Sequence, residues 1–117
     1  MTIKIKRIYE PYSEGDGFRI LVDRLWPRGI KKEKAHIDQW MKEIAPSTAL
    51  RKWFNHEPDK WGQFRVKYHA ELNGSPTLKN LLVYVKEHPT LTLLFAAKEE
   101  KYNHAIVLQQ FITDHPV

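Results

Sequence analysis

The chain has 117 residues, no cysteine, 42% hydrophobic residues and a formal net charge of +5. That length suits one domain around one core, and the apolar content excludes a disordered chain. The absent thiols exclude a disulfide framework, a thiolate nucleophile and any cysteine-held zinc or iron–sulfur centre, while 19 Lys+Arg against 14 Asp+Glu favours anionic partners.

The first stretch, Thr2 to Ile8, alternates Ile3, Ile5 and Ile8 with Lys4, Lys6 and Arg7. It reads as a strand with a solvated face, and it lacks the apolar run of a signal peptide, so a cytoplasmic protein is expected. No run is long enough to span a membrane. Ser13 to Gly17 reads as a flexible loop. Phe18 to Asp23 reads as a second strand, and its consecutive Ile20, Leu21 and Val22 suit burial on both faces. Pro27 stops any helix there.

From Ile30 to Glu43, the spacing of Ile37, Trp40, Met41 and Ile44 predicts a helix over part of the stretch, ending before Pro46. Ser47 is an N-cap for a short helix through Phe54. Pro58 suits the first turn of a helix running to Leu72, striped by Trp61, Phe64, Tyr68 and Leu72. Asn73-Gly74 stops it, and Ser75-Pro76 starts a fourth helix with Leu78, Leu81, Leu82 and Val85 on one face. Leu91 to Ala97 is nearly all apolar and predicts a central strand. Asn103 caps a last helix that His115-Pro116 closes. The order predicts an α/β fold: one domain over residues 1–117, with a small, mainly parallel sheet of about three to four strands flanked by about five helices.

In open α/β sheets ligands bind outside the carboxyl ends of the strands. Two apolar strands here run into charged loops, which gathers Asp23, Arg24, Arg28, Lys98 and His104 on one rim. Asp23 and Arg24 admit two readings: an acid/base or ribose-binding carboxylate beside an anion-binding arginine, or an internal ion pair tying the loop down. Arg28 sits between Pro27 and Gly29, a turn that can present its guanidinium fork to carboxylate or phosphate. Lys98 ends the last strand. His104 opens the last helix and admits two readings: a neutral base or hydrogen-bond donor beside a bound anion, or a helix-start residue packing against the core. Arg51 and His56 could roof the same site or stabilise the turn before Pro58. Asp23 and His104 are thus the candidate proton-moving pair, and Arg24, Arg28, Lys98, Arg51 and His56 the candidate ligand-binding groups.

Several chemistries lack their residues. There is no phosphate loop, no dinucleotide fingerprint, no zinc-protease helix and no nucleophile elbow. His36 and Asp38 could supply two metal ligands but find no third nearby, so neither a metal nor a cofactor is expected.

The long run Val22-Asp23-Arg24-Leu25-Trp26-Pro27-Arg28-Gly29, with Lys32-Glu33-Lys34-Ala35, Ala45-Pro46-Ser47, Leu50-Arg51-Lys52-Trp53-Phe54, His56, Leu93 to Lys98 and Asn103-His104-Ala105, resembles the YeaO-like proteins. This bacterial family has no assigned activity and lies in a wider group of small domains in the same position. The resemblance implies an α/β fold with Asp23 and His104 on its two site-bearing elements. It implies no reaction. Rhodanese domains share an Asp-Val-Arg-like strand but need a catalytic cysteine, which this chain lacks.

The expected function is binding of, or action on, a small anionic ligand such as a nucleotide or phosphorylated metabolite at the strand ends. Whether the protein is an enzyme stays open. Two alternatives stand beside it. Arg28, Lys31, Lys32 and Lys34 could bind nucleic acid, although no reading motif accompanies them. Exposed tryptophans could anchor a protein partner.

Overall fold

The computed structural model describes residues 2–114. Four strands form one parallel sheet: β1 (Thr2–Arg7), β2 (Phe18–Leu21), β3 (Gln39–Trp40) and β4 (Thr90–Phe95), in the order β1-β4-β2-β3. Among the described residues five α-helices accompany it: α1 (Lys32–Ala35), α2 (Thr48–Phe54), α3 (Trp61–Asn73), α4 (Pro76–Glu87) and α5 (His104–Asp114). The architecture is the expected α/β one. No helix among the described residues is long and apolar enough to cross a membrane. His115-Pro116 lies outside the described residues.

The central strands are buried on both faces because their side chains alternate between two clusters. Ile20 and Val22, with Leu91, Leu93 and Phe95, join the main core with Leu50, Phe64, Leu81 and Leu108 from α2, α3, α4 and α5. Leu21 and Leu94 point the other way, onto Ile8, where Trp26, Ile30, Ile37 and Trp40 cover them. Four helices thus stack on one face, while Trp26 of the loop after β2 and Trp40 of β3 help cover the other. Burying each such aliphatic side chain stabilises by roughly 1.5–3 kcal/mol.

Caps and close approaches set the element ends. Ser47, Ser75 and Asn103 accept the N–H groups of Leu50, Thr77 and Ile106, holding the starts of α2, α4 and α5. Gly17 has φ +67, and a Cβ there would lie 2.2 Å from the Thr90 carbonyl oxygen, so only glycine lets β2 enter beside β4. At the sheet edge, the Gln109 side chain donates to Ile3 O (2.7 Å) and Arg7 N–H donates to the Glu10 carboxylate (2.9 Å).

Two stretches fold differently from expectation. A helix does occupy part of the Ile30 to Glu43 stretch, α1, but the residues whose spacing predicts it, Ile37 to Ile44, form only a two-residue strand and a 3-10 turn (Lys42–Ile44). His36 turns left-handed at φ 52, and Asp38 bonds back to Arg19, its carboxylate accepting Arg19 N–H and its own N–H donating to Arg19 O. That exchange pulls Gln39–Trp40 into the sheet beside β2. Ile37 and Trp40 then cover the loop-side face, while Met41 and Ile44 enter the main core. Helical spacing here served two opposite faces.

The Ser13 to Gly17 stretch is an ordered 3-10 turn (Glu14–Asp16) with a complete capping box rather than a flexible loop. Asp16 is buried and ion-paired to Lys6 (3.0 Å) and to Arg19, whose side chain is 2% exposed. Burial alone would raise the Asp16 carboxyl. The Lys6 ammonium, Ser13 N–H and Arg19 guanidinium outweigh it and hold its pKa below the ordinary 3.8.

Candidate functional site

Beyond the carboxyl ends of β2 and β4 lies an open cavity of about 420 Å³. This is the size range of small-molecule sites. The loop after β2 forms one wall. Its turn, Pro27 to Ile30, closes with Ile30 N–H donating to Pro27 O (3.4 Å), and Gly29 supplies φ +81 at the third position. Three side chains fix the loop. Trp26 Nε1 donates to Ile30 O (2.6 Å), Trp40 Nε1 to Asp23 O (2.7 Å), and the Tyr9 hydroxyl to Arg28 O (2.8 Å). Arg28 is left exposed at the turn's apex.

The floor is Ala96-Ala97. Arg7 grips it from behind, donating to Ala97 O (3.0 Å) and Ala96 O (3.3 Å). Asp23 grips it from the front, one carboxylate oxygen accepting Ala96 N–H (2.8 Å). Its other oxygen lies 3.1 Å from His104 Nε2, which also lies 2.9 Å from Val22 O. Asp23 therefore ties three elements together: the end of β2, the end of β4 and the start of α5.

The far wall comes from α2 and α3. Phe54 and Phe64 stack at 4.5 Å, and Trp61 meets Tyr102 edge-on at 5.6 Å. Tyr68 packs edge-on against His104 at 6.3 Å and gives its hydroxyl to Ile44 O (2.6 Å). Burial above all, with the Glu71 and Asp23 charges, pushes the Tyr68 phenol above its ordinary 10.0, so it stays a neutral donor.

Six of the seven residues named from the sequence line this cavity: Asp23, Arg24, Arg28, Arg51, His56 and His104. Lys98 is exposed and does not line it. Asp23 and Arg24 form no ion pair with each other. Arg24 turns to the backbone before α2, donating to Pro46 O (3.1 Å) and Ala45 O (3.2 Å). Arg28 and Arg51 make no side-chain hydrogen bond or ion pair among the described residues. His56 stands at φ 54 just past α2, its ring 6.3 Å from Phe54.

Tyr9 and Tyr102 also line the cavity. Neither sits in an apolar stripe. The one sequence signal for Tyr102 is its place directly before the Asn103 cap.

Of the two metal-ligand candidates, Asp38 accepts Arg19 N–H and His36 stacks on Tyr12 at 4.1 Å. Among the described residues no three His, Asp or Glu side chains are grouped to hold a metal ion. All four tryptophans are partly buried against the two core clusters.

Comparison with known proteins places this architecture among others. Residues 2–116 match the family model described as the inactive DUF488-N3 subclade. The chain is 47% identical over 112 residues to the uncharacterised protein YeaO of Escherichia coli K12, covering 96% of this chain and 97% of that one. It is 36% identical over 110 residues to the uncharacterised proteins Rv3073c of Mycobacterium tuberculosis H37Rv and Mb3100c of Mycobacterium bovis, covering 94% of this chain and 92% of each of those. No solved structure matches the chain significantly.

Proposed function

The chain belongs to the YeaO-like family, within the inactive DUF488-N3 subclade, and we propose that it is a cytoplasmic protein that binds, rather than transforms, a small organic anion such as a nucleotide or phosphorylated metabolite. One observation carries this reading. The cavity holds two guanidinium groups, Arg28 and Arg51, that have no partner among the described residues, while its one carboxylate, Asp23, is already engaged on two sides.

Free guanidinium forks fit a phosphate or carboxylate in bidentate fashion. Two of them suit a dianion such as a phosphate monoester. Arg24 adds its positive charge to the field without leaving its carbonyl partners. Trp26, Phe54 and Tyr102 give a flat apolar body somewhere to lie. His56 stands at the same cavity with its ring uncommitted to any hydrogen bond among the described residues.

Binding is favoured over catalysis on two grounds. Asp23 spends its oxygens on Ala96 N–H and His104, as a structural carboxylate does. The subclade's description as inactive agrees with that.

The test is calorimetry or thermal-shift titration with nucleoside monophosphates and sugar phosphates. A ligand at a hundred times its Kd stabilises by about 2.7 kcal/mol and raises the melting temperature accordingly. No shift with any of them, or shifts unchanged in Arg28→Ala, defeats the proposal.

A further inference from the structure

We infer that the ligand of this cavity carries a hydrogen-bond donor, a hydroxyl or amine, beside its anionic group, and that His104 Nδ1 is the acceptor that reads it. The inference rests on the binding proposal above and adds the chemistry of a second contact.

His104 Nε2 faces two oxygens, Val22 O at 2.9 Å and Asp23 Oδ1 at 3.1 Å. A peptide carbonyl only accepts, and so does an ionised carboxylate. A lone pair on Nε2 would oppose the carbonyl lone pair at hydrogen-bond distance. A proton borne by Asp23 could relieve one of these contacts but not the one to Val22. The ring proton therefore sits on Nε2.

A neutral imidazole carries one proton, so Nδ1 is left as an acceptor. His104 lines the cavity, and its Nδ1 makes no hydrogen bond among the described residues. Its polar neighbours are committed elsewhere. The Tyr68 hydroxyl goes to Ile44 O, and the Asn103 amide spans Ile106 N–H and Glu99 O.

Arginine side chains only donate, so Arg28 and Arg51 cannot hold a ligand hydroxyl by accepting its proton. Unlike the uncommitted His56 ring in the same cavity, His104 supplies that function from a ring nitrogen whose tautomer is fixed. Asp23 acts through it as a positioning residue, holding the ring in one tautomer from a carboxylate that Ala96 N–H itself keeps in place. A site built this way favours a ligand with the donor over an analogue without it, because the analogue forfeits the hydrogen bond to Nδ1.

Two measurements on the intact protein test this, both at a pH where imidazole rings carry a single proton. In the first, ¹⁵N NMR reads the His104 tautomer without any ligand. Nε2–H is expected, with Asp23→Asn populating the Nδ1–H form, and an Nδ1–H ring in the unsubstituted protein overturns the inference.

The second is calorimetry with phenyl phosphate, its three hydroxyphenyl analogues and the matching methoxyphenyl phosphates. One hydroxyphenyl phosphate is expected to bind about fivefold tighter than its methoxy counterpart, the effect of one hydrogen bond. It should also move the Nδ1 resonance, and its advantage should shrink in Asp23→Asn. Equal affinities for each hydroxy–methoxy pair overturn the inference and leave anion binding standing. Binding of no aryl phosphate or nucleotide at all sinks the binding proposal, and this inference with it.

Discussion

At the amino end of β2, Asp16 closes on both Arg19 and Lys6; at its carboxyl end, Arg28 and Arg51 face a cavity whose one carboxylate among the described residues is already spoken for. The same residue types serve opposite purposes along one short strand. In the first cluster every charge meets its opposite. Arg19 reaches Asp16 and Ala35 O from a nearly dry position, under the Tyr12 ring. In the second, Ala96 N–H and His104 take up Asp23, backbone carbonyls take up Arg24, and two guanidiniums remain for something from outside. A cluster whose charges are paired inside the fold holds that fold together. An unsaturated one leaves binding capacity, and the difference lies in the partners rather than in the residues.

The largest effect should come from opening the closed end. Asp16→Ala leaves Arg19 buried beside no carboxylate, and loss of about 3–5 kcal/mol is expected in urea denaturation. A loss below about 1 kcal/mol would mean that the cluster is no more structural than the cavity. Gly17→Ala drives a methyl group into the Thr90 carbonyl and should cost about 1–3 kcal/mol or more in the same assay, because β2 cannot retreat from β4.

The sign of the acid response sharpens the contrast. A carboxyl held below its ordinary pKa stabilises the fold above the unfolded value and loses that contribution as pH falls through the folded one. Stability should therefore decline below about pH 4, where unfolded aspartate protonates. In Asp16→Asn, denaturation curves collected between pH 7 and pH 3 should show a shallower acid decline from a lower starting stability.

At the open end the pattern reverses. Arg28→Ala and Arg51→Ala should change stability by less than about 0.5 kcal/mol, the usual range for surface positions. Each should weaken phosphate-monoester binding by about tenfold, as loss of a charge-assisted hydrogen bond does. Arg24→Ala separates the two classes within one cavity: its Ala45 and Pro46 carbonyls lose their donor, and about 1 kcal/mol of stability should go with it. Equal stability losses at Arg24, Arg28 and Arg51 would erase the distinction.

Much of this was legible in the residues. The continuous apolar runs at Ile20-Leu21-Val22 and Leu91 to Phe95 announced central strands, and the charged groups just past them announced the rim. Ser47, Ser75 and Asn103 cap as their residue types imply. What escaped had nonlocal causes. Asp16 reads as loop because its partners, Lys6 and Arg19, lie on two different strands. The Ile37 to Ile44 spacing reads as helix because a period of three to four cannot reveal that Ile37 and Trp40 serve one face of a sheet while Met41 and Ile44 serve the other. Asp23 beside Arg24 suggests a mutual pair, yet each finds a better partner across the fold: Asp23 an amide and an imidazole more than seventy residues away, Arg24 the carbonyls before α2. Lys98 follows its strand as expected but stays outside the cavity, since strand order alone does not say where a long exposed side chain goes.

The small bonds along β1 have a consequence for how copies of this chain meet. An outer strand offers its unsatisfied backbone to any other strand that approaches, which is the usual route to edge-to-edge stacking and fibre growth. Here Gln109 has already taken the carbonyl of Ile3, and Glu10 has taken the amide of Arg7. The lysines along the strand are tethered as well, Lys4 to Gly15 O and Lys6 to Asp16. At the opposite border, β3 is two residues long, too short to template a partner. Both borders of the sheet thus carry devices that oppose strand addition, β1 its partly occupied backbone groups and tethered lysines, β3 its brevity.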